Sequence, residues 1–148
     1  MILFMEAVMS FNDIKKYILD FFYTDNPFVQ NLQIRLAAIE PGSVTLEMDV
    51  VRDHTNVYGI AHGGATMTMA DTAMGASCLT CNKRVVTLDC NMNYMRAVPV
   101  GTHIRAKGHI IHNGSRTMVC DCDVMDDDGN VYMRTRGTFF VKSKFIED

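Results

Sequence analysis

The 148-residue chain has no tryptophan, no block of basic residues and no regular cysteine framework, and each absence narrows its function. With a net charge of -3 it lacks the positive stripe that grips a polyanion, so no nucleic-acid partner is expected. Its five cysteines, Cys78, Cys81, Cys90, Cys120 and Cys122, are odd in number and irregularly spaced, which points to reduced thiols and a cytoplasmic location. Cys78 and Cys81 have the spacing of half a zinc site, but no second pair of cysteines or histidines completes a tetrahedral set, so no metal is expected. The acidic run from Asp126 to Asp128 carries Gly137 where a calcium loop needs its bidentate Glu, and it reads as a hairpin turn. Met1 to Glu6 is apolar but lacks a basic leader and is not expected to be a signal peptide. The longest apolar stretch, Ala61 to Cys81, contains Asp71, three glycines and several threonines, so no membrane span is expected.

What is present is ordinary for a folded protein: 48% hydrophobic and 21% charged residues, with twelve methionines read as core filling. The length suits one domain over 1–148, with residues 1–25 as an N-terminal helical extension. Ser10 to Phe22 reads as an amphipathic helix capped by Ser10, with Ile14, Tyr17, Ile18 and Phe21 at helical spacing. Leu32 to Ala38 and Val44 to Val50 alternate around Pro41-Gly42, a hairpin. His62 to Cys81 lacks that alternation and predicts one long buried helix. Four strands follow. The first spans Val85 to Met95, with Val86, Leu88, Cys90, Met92 and Tyr94 on one face. The others cover Ile104 to Ile111, Arg116 to Met125 and Val131 to Val141, with turns at Asn113-Gly114 and Asp128-Gly129. A long helix wrapped by a curved antiparallel sheet, in the α+β class, is the simplest way to bury these surfaces.

The chemistry centres on Asn56 to Asp71. Gly63 and Gly64 open the buried helix, where first-turn amides lack intrahelical acceptors and favour negative charge, such as that developing on a thioester oxygen. Asp71 is the only acidic or basic side chain from Ala61 to Asn82, His62 set aside. Desolvation makes such a carboxylate a stronger base or nucleophile, whereas a purely structural role requires a compensating partner. Asp71 lies eight residues beyond Gly63, about 12 Å along a helix, too far for both to act on one carbonyl within a chain. An antiparallel copy of the helix brings them together, so a catalytic pair implies a homodimer with two composite sites.

Asn56, His62-Gly63-Gly64 and Asp71, followed by Val86-Thr87-Leu88-Asp89-Cys90-Asn91-Met92-Asn93-Tyr94-Met95, resemble the phenylacetic-acid-type (PaaI-like) hotdog thioesterases from roughly Leu32 to Val141. That resemblance implies a hotdog fold and hydrolysis of an aromatic or medium-chain acyl-CoA, with coenzyme A part of the substrate and no separate cofactor. It assigns Asp71 as nucleophile or general base and the Gly63 amide as oxyanion donor. Asn56 and His62 hold the carbonyl or the thiolate end, and Thr87 positions water. Gly64, Arg96 and Arg116 are expected to contact substrate, with Lys107, Arg134 and Arg136 as further candidates for the phosphates, and the assembly is expected to be a homotetramer. Here Pro99 stands later after Arg96 than in the usual pattern. Met67, Met69 and Met74, with Phe21 and Phe22, are candidate acyl-pocket residues. The competing function is a non-catalytic acyl-CoA-binding module of the same fold, which is expected to need an effector domain for which this chain has no room. A hotdog dehydratase requires a His/acid pair that His62 and Asp71, on one helix, do not obviously form.

Overall fold

The computed structural model describes residues 9–147, so the segment Met1 to Glu6 and part of the predicted extension lie outside it. Helix α1 (Phe11–Tyr23) begins in a reciprocal cap: the Ser10 hydroxyl accepts from the Asp13 amide at 3.2 Å, and Asp13 accepts from the Ser10 amide at 3.1 Å. Its buried stripe is Ile18 and Phe22, flanked by Phe11 and Ile14, while Tyr17 and Phe21 stay about half exposed. The expected stripe is therefore rotated, because Phe21 packs edge-on against Phe145 instead. A short helix α2 (Pro27–Asn31), started by a proline whose ring suits a first turn, occupies a stretch with no expected element.

The hairpin of β1 (Arg35–Glu40) and β2 (Ser43–Asp49) turns through Gly42 at φ 75°. Helix α3 (Gly63–Leu79) then crosses the inner face of a sheet completed by β3 (Lys83–Tyr94), β4 (His103–Asn113), β5 (Thr117–Asp126) and β6 (Val131–Lys144). All pairings are antiparallel in the order β1-β2-β4-β5-β6-β3, the hotdog architecture expected, with β1 and β3 as the two edges. Inward residues of β2, β4 and β5, including Val44, Leu46, Met48, Ile104, Ala106, Met118, Cys120, Cys122 and Val124, are fully buried against α3. Strand and helix approach so closely that a Cβ on Gly108 would lie 2.7 Å from the Ala73 carbonyl. The buried Ser77 hydroxyl ties α3 to β2, donating to Ala73 at 2.7 Å and accepting from the Val44 amide at 3.0 Å.

One local expectation needs correction. Strand β3 does not keep one alternating face, because its register against β6 slips between Thr87 and Asp89. This bulge turns Thr87 inward as well as Cys90, and leaves Val86 and Leu88 exposed at 47% and 59%. The Asn113-Gly114 hairpin forms, but Gly114 keeps negative φ and is needed for closeness: a Cβ there would lie 2.6 Å from the Thr117 carbonyl.

Candidate active site

The start of α3 is built by His62. Its backbone is extended and its Nδ1 accepts from the Gly64 amide at 2.8 Å, so the neutral ring carries its proton on Nε2. That cap occupies Gly64 and leaves the Gly63 amide with no acceptor among the described residues. The Gly63 carbonyl accepts from the Tyr94 hydroxyl at 2.8 Å, and a Cβ on Gly63 would lie 3.2 Å from the Tyr94 ring, so glycine fits here by closeness. The loop before the helix folds on Asn56, whose amide donates to Ile60 at 2.9 Å and whose Oδ1 accepts from the Tyr58 amide at 2.9 Å. Asn56, Gly63, Thr66, Tyr94 and Arg96 line one cavity of about 390 Å³. Arg96 reaches Asn130 at 3.4 Å.

Two turns further along, Asp71 is half-buried. Its Oδ1 accepts from the Thr87 hydroxyl at 2.6 Å and from the Cys90 thiol at 3.7 Å, while Oδ2 has no partner among the described residues. Burial and the adjacent Asp71 charge push the Cys90 thiol up to about 11, so it remains a donor. Asp71 and Thr87 line a second cavity of about 750 Å³, roofed by Phe21 and Phe22 of α1 and floored by Val85 and Phe139. Two donors therefore hold one carboxylate oxygen, and the other has no partner among the described residues.

Within one chain the predicted residues thus fall into two groups: Asn56 and Gly63 with Arg96 at the start of α3, and Asp71 with Thr87 at its middle. His62 stays exposed beside the first group, with its Nδ1 used in the cap. Arg116 joins neither: it is exposed in the β4–β5 turn, where its carbonyl accepts from Val141 at 2.8 Å. Three other cations suggested for phosphate are engaged on the outer sheet face: Arg136 with Asp121 at 2.6 Å, Arg134 with Asp123 at 3.2 Å and Lys107 with Glu40 at 3.9 Å. The methionines suggested for the acyl pocket do not line the Asp71 cavity; Met69 and Met74 are fully buried and Met67 is 46% exposed. Phe21 and Phe22 do line it. Sequence reasoning missed Cys90 and Tyr94 as site neighbours, because the bulge that aims Cys90 has no residue signature and Tyr94 meets Gly63 only through the tertiary fold.

Comparison with known proteins agrees with this architecture. The thioesterase superfamily model matches residues 58–133. Human acyl-coenzyme A thioesterase 13 is 33% identical over 95 residues, covering 62% of this chain and 67% of that protein. The Escherichia coli PaaI protein from the phenylacetic acid degradation operon superposes with a TM-score of 0.86 at 21% identity, over 93% of this chain and 100% of that one. A Streptococcus mutans protein solved with acetyl CoA bound superposes with a TM-score of 0.73 at 29% identity, over 75% of this chain and 90% of that one.

Proposed function

We propose, for a chain that belongs to the thioesterase superfamily, that it hydrolyses acyl-CoA thioesters to a free acid and CoA. The observation that carries this is the Asp71 carboxylate, which lines the large cavity and is held through Oδ1 by Thr87 and Cys90. Asp71 either takes a proton from the attacking water or attacks the thioester carbonyl itself to give an acyl anhydride that water then cleaves. In both cases the C–S bond breaks, and the CoA sulfur leaves with its electron pair and takes up the proton released by the water. The Gly63 amide, already free of an intrahelical acceptor, donates to the developing oxyanion. Tyr94 and His62 fix that amide by bonding its neighbours, and the Asn56 side-chain amide extends the donor set. Side chains and one backbone amide supply all of this chemistry, so no cofactor is assigned. Arg96, beside Gly63, is the contact proposed for the CoA end, and the neighbour bound to acetyl CoA supports a CoA ligand.

The active unit in this proposal is a homodimer. Strand β3 is a twelve-residue edge whose exposed face carries Val86 and Leu88, a long unpaired edge that isolated monomers avoid. Antiparallel pairing of two β3 strands continues the sheet and lays the two α3 helices antiparallel. Gly63 of one copy then faces Asp71 of the other. The acyl group enters the Asp71 cavity under α1, whose phenyl rings and aliphatic floor suit aromatic or medium-length chains.

Thiol release measured over a panel of aliphatic and aromatic acyl-CoAs tests the activity, with Asp71→Ala as control. Wild-type turnover that falls by about 100-fold or more in the variant is expected. Equal turnover by both proteins refutes the role of Asp71. Tight acyl-CoA binding without turnover by the wild type would identify a binding module instead.

A further inference from the structure

The Asp71 cavity runs along one face of α3, past Asp71, Thr72, Gly75, Ala76 and Leu79, and ends at a cation. Asp71 to Leu79 spans about 12 Å of helix. Between its ends the wall is apolar, formed by Ile18, Phe22, Val85 and Phe139. At the far end the Arg84 guanidinium lies over two phenyl rings, 5.1 Å from the centre of Phe21 and 5.5 Å from that of Phe145. The rings pack edge-on at 5.3 Å and join α1 to the C-terminal segment. A guanidinium has five N–H donors, yet the one acceptor given to Arg84 among the described residues is the Phe145 carbonyl, at a long 3.5 Å. No carboxylate among the described residues forms an ion pair with it, although Glu147 lines the same end together with Lys142 and Lys144.

We infer that Arg84 is a specificity-determining residue that binds a terminal carboxylate on the acyl group, so that the preferred substrates are CoA monothioesters of medium-length dicarboxylic acids. The inference rests on the hydrolase function proposed above. An acyl chain with its thioester at Asp71 lies along the apolar wall and presents its distal end to a guanidinium held in place by two rings. The planar fork matches a carboxylate bidentately, and stacking reduces the freedom lost when it binds. A plain alkanoyl chain fills the same wall but leaves those donors of the exposed Arg84 to water. Arg84 and Lys142 line this end of the cavity beside Glu147, whereas Asp71 repels a carboxylate at the other end and so fixes the orientation of the chain.

The test compares kcat/KM for adipyl-CoA and suberyl-CoA with that for hexanoyl-CoA and octanoyl-CoA, in the wild type, Arg84→Met and Arg84→Lys. Methionine keeps an aliphatic stem between the rings and removes the fork; lysine keeps the charge and guards against a methionine variant that fails to fold. The wild type is expected to favour the dicarboxylic substrates by about tenfold or more, and Arg84→Met to lose that preference while retaining turnover of the alkanoyl substrates. Arg84→Lys should fall between. A wild type that turns over the alkanoyl substrates equally well or better overturns the assignment and leaves the hydrolase function standing. So do variants in which both substrate classes fall in parallel, since Arg84 is then only a clamp on α1 or a CoA contact. Absence of turnover for every acyl-CoA sinks the hydrolase proposal, and this inference with it.

Discussion

At the scale of single residues, the proposed site rests on how two donors share one oxygen of Asp71. A hydrogen bond to a charged group contributes about 1.5–3 kcal/mol, which corresponds to roughly ten- to a hundredfold in rate where that bond positions the reacting group. Thr87→Val is expected to lower kcat by that factor with little change in thermal stability, because Thr87 is exposed on an edge strand. Cys90→Ala removes the longer and weaker donor at 3.7 Å, so a smaller loss is expected. Steady-state kinetics on both variants, beside their melting temperatures, decide this; an unchanged kcat in Thr87→Val contradicts the positioning. A second residue-scale prediction concerns His103, whose pKa is raised above 6.5, chiefly by its hydrogen bond to Asp127 and further by Glu47. A pKa higher in the folded state means stabilisation that is complete below the unfolded value and lost as pH rises through the folded one. The melting temperature of the wild type should therefore exceed that of His103→Gln most clearly below pH 6.5, and the two should converge at alkaline pH. A difference that grows with rising pH contradicts this sign.

At the scale of elements, α3 lies so near β4 that Gly108 has no room for a methyl group. Gly108→Ala pushes against helix backbone rather than a flexible side chain and is expected to cost about 1–3 kcal/mol, read as a lower urea midpoint. Periodicity made most elements legible: the switch from period two to an unbroken apolar run marked α3, and Ser10 marked the start of α1. The Asn56–Asp71 segment stood out in the sequence because a lone acid in an apolar helix beside paired glycines is physically unusual. The bulge in β3 was not, since one extra residue at Leu88 leaves the hydrophobic pattern intact while reversing which side chains face inward. Nor could sequence spacing show that Phe21 would turn from the core stripe to Phe145 and Arg84, because that contact joins opposite ends of the chain.

At the scale of the whole molecule, the two proposed half-sites line separate cavities of one chain, so the proposed mechanism assigns activity to a dimer. Leu88→Lys at the exposed β3 edge should yield monomers by sedimentation velocity and abolish turnover without unfolding the chain; a fully active monomer is incompatible with a composite site. Among the described residues no helix is long and apolar enough to cross a membrane. The most direct measurement of the central claim is complementation between two inactive variants. Asp71→Ala removes the proposed nucleophile or base, and Gly63→Val drives a side chain into the Tyr94 ring beside the proposed oxyanion donor. When the two are co-assembled in equal amounts, half of the dimers are mixed, and each mixed dimer holds one intact site. Recovery of about a quarter of wild-type turnover is predicted. A mixture no more active than either variant alone would show that Gly63 and Asp71 do not meet across the interface.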